Sequence, residues 1–168
     1  LRAIADFVVE KDIYIISDEM YEYLVYGNEK HVSIASFNDE IYKRTITCSG
    51  LSKSYAMTGW RIGYVGAPIE IAKLMSSVQS HQASNPNSIA QKAALEAMSG
   101  PQDELKKMVE EFEKRSKFLY EEICKLPYID CIAPQGAFYA FVDCTNLIGK
   151  SYKGEEIKNA ADIGRMLI

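Results

Sequence analysis

With 168 residues, 48% of them hydrophobic and 25% charged, the chain has ordinary globular composition and enough length to bury a core. A net charge of −4 and the lack of a strongly basic run speak against nucleic acid or an anionic membrane as a partner, and no stretch approaches the roughly 18 apolar residues of a membrane span. Cys48, Cys124, Cys131 and Cys144 lack C-x-x-C spacing and clustered histidines, so no disulfide framework or metal site is expected and reduced cytoplasmic thiols are.

Leu1 to Lys11 places Ile4, Phe7 and Val8 at helical spacing, yet opens with no N-cap and no start methionine. Ala160 to Ile168 also reads as helix, with Ile163 and Leu167 one turn apart, and simply stops. Both ends read as cuts through helices, so the chain is expected to be a piece of something longer. Ile13 to Ile16 is an apolar run without alternation, the pattern of a strand covered on both faces in a parallel sheet. A helix followed by such a strand sets an α/β rhythm. Ser17-Asp18-Glu19-Met20-Tyr21-Glu22 follows at the strand's carboxyl end, where open α/β sheets bind ligands. Gly27 to Lys43 is polar and irregular and reads as a surface loop with a short helical turn near Phe37.

Thr45 to Cys48 is a short β-branched strand, and Ile62 to Ala67 a second one. Between them lies SGLSKSYAMTGWRIGY, with Lys53 flanked by Ser52 and Ser54. Pro68 fits the first helical position, and Ile71, Leu74, Met75 and Val78 mark one buried helix face. Ser84 to Ser88 breaks that helix, and an alanine-rich helix runs from about Ile89 to Met98. Ser99-Gly100-Pro101 is the clearest punctuation and the candidate domain boundary, giving 1–100 and 101–168. Leu105 to Leu126 carries the repeat of a long amphipathic helix ended by Pro127. Strands at Ile129 to Ala133 and Ala137 to Val142 should follow, then a glycine-bounded loop from Gly149 to Glu156.

Four side chains are candidates for chemistry, each of which also has a bland reading as a loop, turn, half-buried or surface residue. A desolvated lysine loses its proton and can condense with an aldehyde cofactor, which makes Lys53 the candidate covalent residue. A carboxylate such as Asp18, set against a pyridine nitrogen, keeps it protonated and the ring electron-accepting. Tyr21 could reach a phenolic oxygen. Arg61 offers a planar fork for phosphate, with Gly59 allowing close backbone approach. Trp60 is expected in the core, His31 in a loop, and His81 on a surface or interface.

SDEMYEYLVY, SGLSKSYAMTGWRIGY, SNPNSIAQKAALEA and GAFYAFVD, in this order, resemble the class I/II pyridoxal-phosphate aminotransferases on the aspartate/aromatic side. The resemblance implies an α/β, fold-type-I enzyme. Residues 1–100 would be the later portion of a large domain with a mixed, mostly parallel sheet, in which Ile62 to Ala67 runs antiparallel. Residues 101–168 would be a connecting helix and part of a small α/β domain. It implies that Lys53 forms the internal aldimine with pyridoxal 5'-phosphate and shuttles a proton, while Asp18 pairs with the pyridinium, Tyr21 with the phenolic oxygen and Arg61 with the phosphate. The implied reaction is amine transfer between an aspartate- or aromatic-type amino acid and a 2-oxo acid such as 2-oxoglutarate, in a cytoplasmic homodimer without metal. Gly50 stands where many relatives have a phosphate-holding serine, and Gln79-Ser80-His81 where some aspartate enzymes have an arginine for a side-chain carboxylate. Other family residues would lie before Leu1 and after Ile168, so the isolated chain is expected to be inactive and to associate through its sheet edge. The rival readings are a carbon–sulfur lyase, an aminocyclopropane-carboxylate synthase, and the aminotransferase-like effector domain of a transcription regulator.

Overall fold

The computed structural model describes residues 1–168. Its first helix, α1 (Arg2–Glu10), buries Ala5 and Val8. Of the apolar residues at helical spacing Val8 is buried, whereas Ile4 and Phe7 are about half exposed. β1 (Ile15–Asp18) runs parallel to β2 (Thr45–Gly50), with Ile15 opposite Thr45 and Asp18 opposite Cys48. β3 (Gly63–Gly66) pairs antiparallel with the other side of β2, giving the order β1-β2-β3. No helical crossover separates β2 from β3, and without one a returning strand pairs antiparallel. The antiparallel second strand is the one the resemblance implied.

Several expectations need correction. The first strand is shifted toward Asp18, and it is not covered on both faces: Ile16 is 75% exposed. β1 is an edge strand whose burial alternates residue by residue, so one set of side chains faces the core and the other does not. Gly27 to Lys43 is not merely surface loop. The helical turn expected near Phe37 is there, as a 3-10 turn at Ile34–Ser36, but the segment also forms α2 (Asp39–Tyr42), capped by Asn38, whose Oδ1 accepts from the Ile41 N–H at 2.9 Å. Ile34 and Ile41 are buried with Ala5 and Val8 in a core edged by Val9, Ile15 and Phe37. Two isolated apolar residues in a polar run show no periodicity, so their burial leaves no trace in the pattern.

α3 (Ile69–Gln82) has Pro68 as its N-cap rather than its first residue. None of its residues is buried, and the expected face is open, with Leu74 68% and Val78 56% exposed. α4 (Ser88–Ser99) buries Ala90 and Ala94; Ala94 packs with Leu51 and Met57 in a second core edged by Tyr55 and Ile62. α5 (Asp103–Ile123) starts just past Ser99-Gly100-Pro101. The chain forms two compact units, Leu1–Val109 and Glu110–Ile168, dividing within this helix.

In the second unit Phe112 stacks on Phe138 at 5.6 Å between ring centroids. The two strands expected there shrink to an antiparallel pair of two residues each, β4 (Asp130–Cys131) and β5 (Val142–Asp143). Ile132 and Phe141, next to that pair, are 84% and 88% exposed, and a ladder without a covered face does not extend. The Gly149–Glu156 loop is instead a hairpin of β6 (Ser151–Tyr152) and β7 (Glu155–Glu156). Lys153 and Gly154 make its turn at φ of 50° and 86°, the mirrored geometry that matches strand twist. α6 (Ala160–Leu167) closes the unit, capped by Asn159, whose Oδ1 accepts from the Asp162 N–H at 3.1 Å.

Candidate active site

The lysine loop is pinned at both ends. Leu51, 1% exposed, and Met57, 8% exposed, enter the core against α4, and the Tyr55 and Met57 N–H groups both donate to the Leu51 carbonyl. Tyr55 OH donates to Gln102 Oε1 at 3.0 Å, while Gln102 Nε2 donates to the Ala97 and Gly100 carbonyls. Burial, and then the neighbouring Tyr23, push the Tyr55 phenol above its ordinary pKa, so it remains a donor. Lys53 sits between these anchors and is half-buried rather than enclosed. Next to it, the Ser54 hydroxyl is buried without a partner, a destabilising arrangement. Ala56 and Arg61 both adopt left-handed backbone at φ of 52°, at a cost of roughly 1–2 kcal/mol each for a residue with a Cβ. Such strain gathers at functional sites.

Asp18 ends β1 with its side chain exposed, its Oδ1 accepting the Met20 N–H at 3.2 Å. Because Asp18 is level with Cys48 in the parallel pair, the acid and the lysine loop leave the sheet from the same edge. Tyr21 follows in the turn, half-buried, its carbonyl accepting the Leu24 N–H. Arg61 precedes β3, whose first residue, Gly63, lies opposite the last residue of β2. Asp18, Tyr21, Lys53 and Arg61 thus all belong to one end of the sheet.

Arg61 is exposed, and its Nη1 donates to the Thr58 carbonyl at 2.7 Å. With Gly59, Trp60, Asn87 and the start of α4 it lines a cleft of about 630 Å³. Trp60 is therefore not core; it is 46% exposed and forms cleft wall. A Cβ on Gly59 would meet no atom within 4 Å, which leaves the backbone open to a ligand there. A guanidinium and the positive end of α4 both favour an anion in this cleft.

Sequence reasoning passed over a set of supporting polar residues. Glu22 Oε1 accepts from Ser49 Oγ at 2.7 Å and from Tyr64 OH at 2.9 Å, tying the turn after β1 to β2 and β3. Burial and the Glu22 carboxylate raise the Tyr64 pKa, despite an opposing hydrogen bond with Ser49. Glu19 is 7% exposed and bonded to Ser17, His31 and Ser33. The available signal was period 2: if Asp18 faces outward at a strand's end, the next side chain faces inward. Glu19's partners His31 and Ser33, distant in the chain, left no such mark.

The sequence profile of the family described as "Aminotransferase class I and II" matches residues 1–165. A "Probable aspartate/prephenate aminotransferase" of Aquifex aeolicus is 50% identical over 145 residues, 85% of this chain and 37% of that protein. The crystal structure of an aspartate aminotransferase from Rhizobium meliloti superposes with a TM-score of 0.90 at 40% identity, covering 96% of this chain and 40% of the other. A PLP-bound structure from Clostridium difficile 630 superposes with a TM-score of 0.80 at 25% identity, covering 87% of this chain and 38% of the other. The chain thus spans about two fifths of the length of these relatives.

Proposed function

Because this chain belongs to the class I and II aminotransferase family, we propose that the protein carrying it moves an amino group between an aspartate- or aromatic-type amino acid and a 2-oxo acid such as 2-oxoglutarate. The cofactor is pyridoxal phosphate, which when bound supplies an aldehyde to accept the amine and a ring to take up the electrons released at substrate Cα. The residues at the sheet end suit it chemically: an amine, a carboxylate, a phenol and a guanidinium beside an open glycine backbone.

Lys53 would supply the amine that holds the cofactor and, once displaced by the substrate amine, would carry the proton taken from substrate Cα to the carbon that bore the cofactor's aldehyde. Asp18 keeps the ring nitrogen protonated, since a neighbouring anion favours the charged form. Tyr21 hydrogen-bonds the ring's phenolic oxygen. Arg61 holds the phosphate. The observation that carries this reading is the parallel register of Asp18 with Cys48, which sends acid and lysine loop out of one sheet edge. In domain terms, 1–100 would be the later part of a large cofactor-binding domain, and 101–168 a connecting helix with part of a small one. Four free cysteines agree with a cytoplasmic setting, and the working unit is a homodimer.

Lys53→Ala in the full-length protein tests the assignment. Amine transfer should fall by at least about 10²–10⁴-fold and the cofactor's yellow absorption should vanish. Survival of both would remove Lys53 from the role, and release of ammonia in place of amine transfer would point to a lyase. The isolated 168-residue chain should show no transamination, having about two fifths of its relatives' length; measurable turnover would refute that.

A further inference from the structure

Strand alternation turns the Asp18 side chain outward and the Glu19 side chain into the protein. Inside, Glu19 Oε1 accepts from Ser17 Oγ at 2.9 Å and Ser33 Oγ at 2.7 Å, and Oε2 meets His31 Nε2 at 2.8 Å. A carboxylate can only accept, so Nε2 carries the hydrogen. Burial alone would raise this carboxyl's pKa, but His31, Ser33 and Ser17 outweigh it and hold it below the ordinary range. A buried charge this well matched with donors is held in one geometry, because losing a donor leaves it uncompensated.

The same residue is fixed through its backbone. The Glu19 N–H donates to the Cys48 carbonyl at 2.8 Å, and the Glu19 carbonyl accepts the Glu22 N–H at 3.0 Å. On the far side, Ser33 Oγ accepts the Ala35 N–H at 3.3 Å and starts the turn that buries Ile34, 4% exposed, against Ala5, Val8 and Ile41. A chain of contacts thus runs from a packed core through Ser33 to Glu19, which Asp18 precedes and which opens the turn holding Tyr21. Nothing in the reaction asks Glu19 or His31 to touch substrate.

We propose that Glu19, His31 and Ser33 are positioning residues, a buried carboxylate clamp that sets how Asp18 and Tyr21 meet the cofactor ring. This rests on the aminotransferase reading. The variants are His31→Ala, which removes a donor, and His31→Gln, which keeps an amide N–H in reach, both in the full-length protein. Two readouts apply: backbone amide exchange of Glu22 and Leu24 without cofactor, and the pH midpoint of the cofactor's absorption together with its dissociation constant. His31→Ala should speed exchange at Glu22 and Leu24 about tenfold, leave Thr47 and Cys48 unchanged, shift the midpoint, and weaken cofactor binding about tenfold; His31→Gln should restore much of each. Unchanged exchange and an unmoved midpoint, or uniform acceleration across the unit with an unmoved midpoint, would overturn the clamp. If the wild-type protein shows no cofactor absorption, the aminotransferase reading itself fails and the clamp falls with it; wild-type absorption with unresponsive variants fails the clamp alone.

Discussion

A Cβ on Gly50 would lie 3.1 Å from Gly63 Cα and 3.1 Å from Met20 Cε. The two glycines face each other across β2 and β3; Met20 can turn its side chain away, but the Gly63 contact is backbone and no rotamer change relieves it. A serine here would require the β3 backbone to give by a few tenths of an ångström. Gly50→Ser should therefore cost about 1–3 kcal/mol, read from chemical denaturation of the full-length protein; an unchanged midpoint would show that β3 yields freely. Glu19 gives a second residue-level prediction. Its carboxyl titrates below its ordinary value of 4.5 when folded, so the unfolded chain binds its proton first. The stability it contributes is complete above about pH 4.5 and is lost as pH falls through the lowered value. Glu19→Gln should flatten the acid limb of stability against pH, although it lowers stability at neutral pH; an acid limb as steep as in the wild type would exclude the effect.

Elements matter here through what they brace. α4 is started by Asn87, whose Oδ1 accepts the Ile89 and Ala90 N–H groups at 2.9 and 3.1 Å. Its Ala94 then packs on Leu51 and Met57, the residues that pin the lysine loop. Replacing the cap, Asn87→Ala, should cost about 1 kcal/mol, whereas Asn87→Ser should cost little. Thermal unfolding compares the two, and equal losses would mean that the hydrogen bonds carry none of the effect. The hairpin β6–β7 shows the opposite relation between sequence and element. Gly154 suits the second position of such a turn, but lysine is not among the residues favoured at the first, and with only two residues on each side the stretch reads as loop until the pairing of Tyr152 with Glu155 is seen.

Across the whole molecule, apolar surface is left uncovered. Leu74 and Val78 on α3 are 68% and 56% exposed, and Ile132 and Phe141 beside β4 and β5 are 84% and 88% exposed. Apolar surface on that scale marks interaction surface or aggregation hazard, and the edge position of β1 adds unpaired backbone. The 168-residue chain on its own should self-associate at micromolar concentration and bind an apolar dye, as light scattering and fluorescence would show. A dispersed monomer without dye binding would count against this.

Where the candidate residues sit was legible from the chain alone. Lys53 between two strands, Asp18 at a strand end, and Arg61 beside Gly59 are patterns made by covalent neighbours and short periods, which residue order specifies directly. So were most helices, because a repeat of 3.6 survives without knowledge of any partner. What covers an element was not legible: the open face of α3, the burial of Ile34 and Ile41, and the exposure of Trp60 depend on which surface arrives opposite. The Glu19, His31 and Ser33 cluster belongs to the same kind. Its members gain meaning only when a loop folds back beneath a strand, and a long-range meeting of that sort is decided by packing, not by spacing.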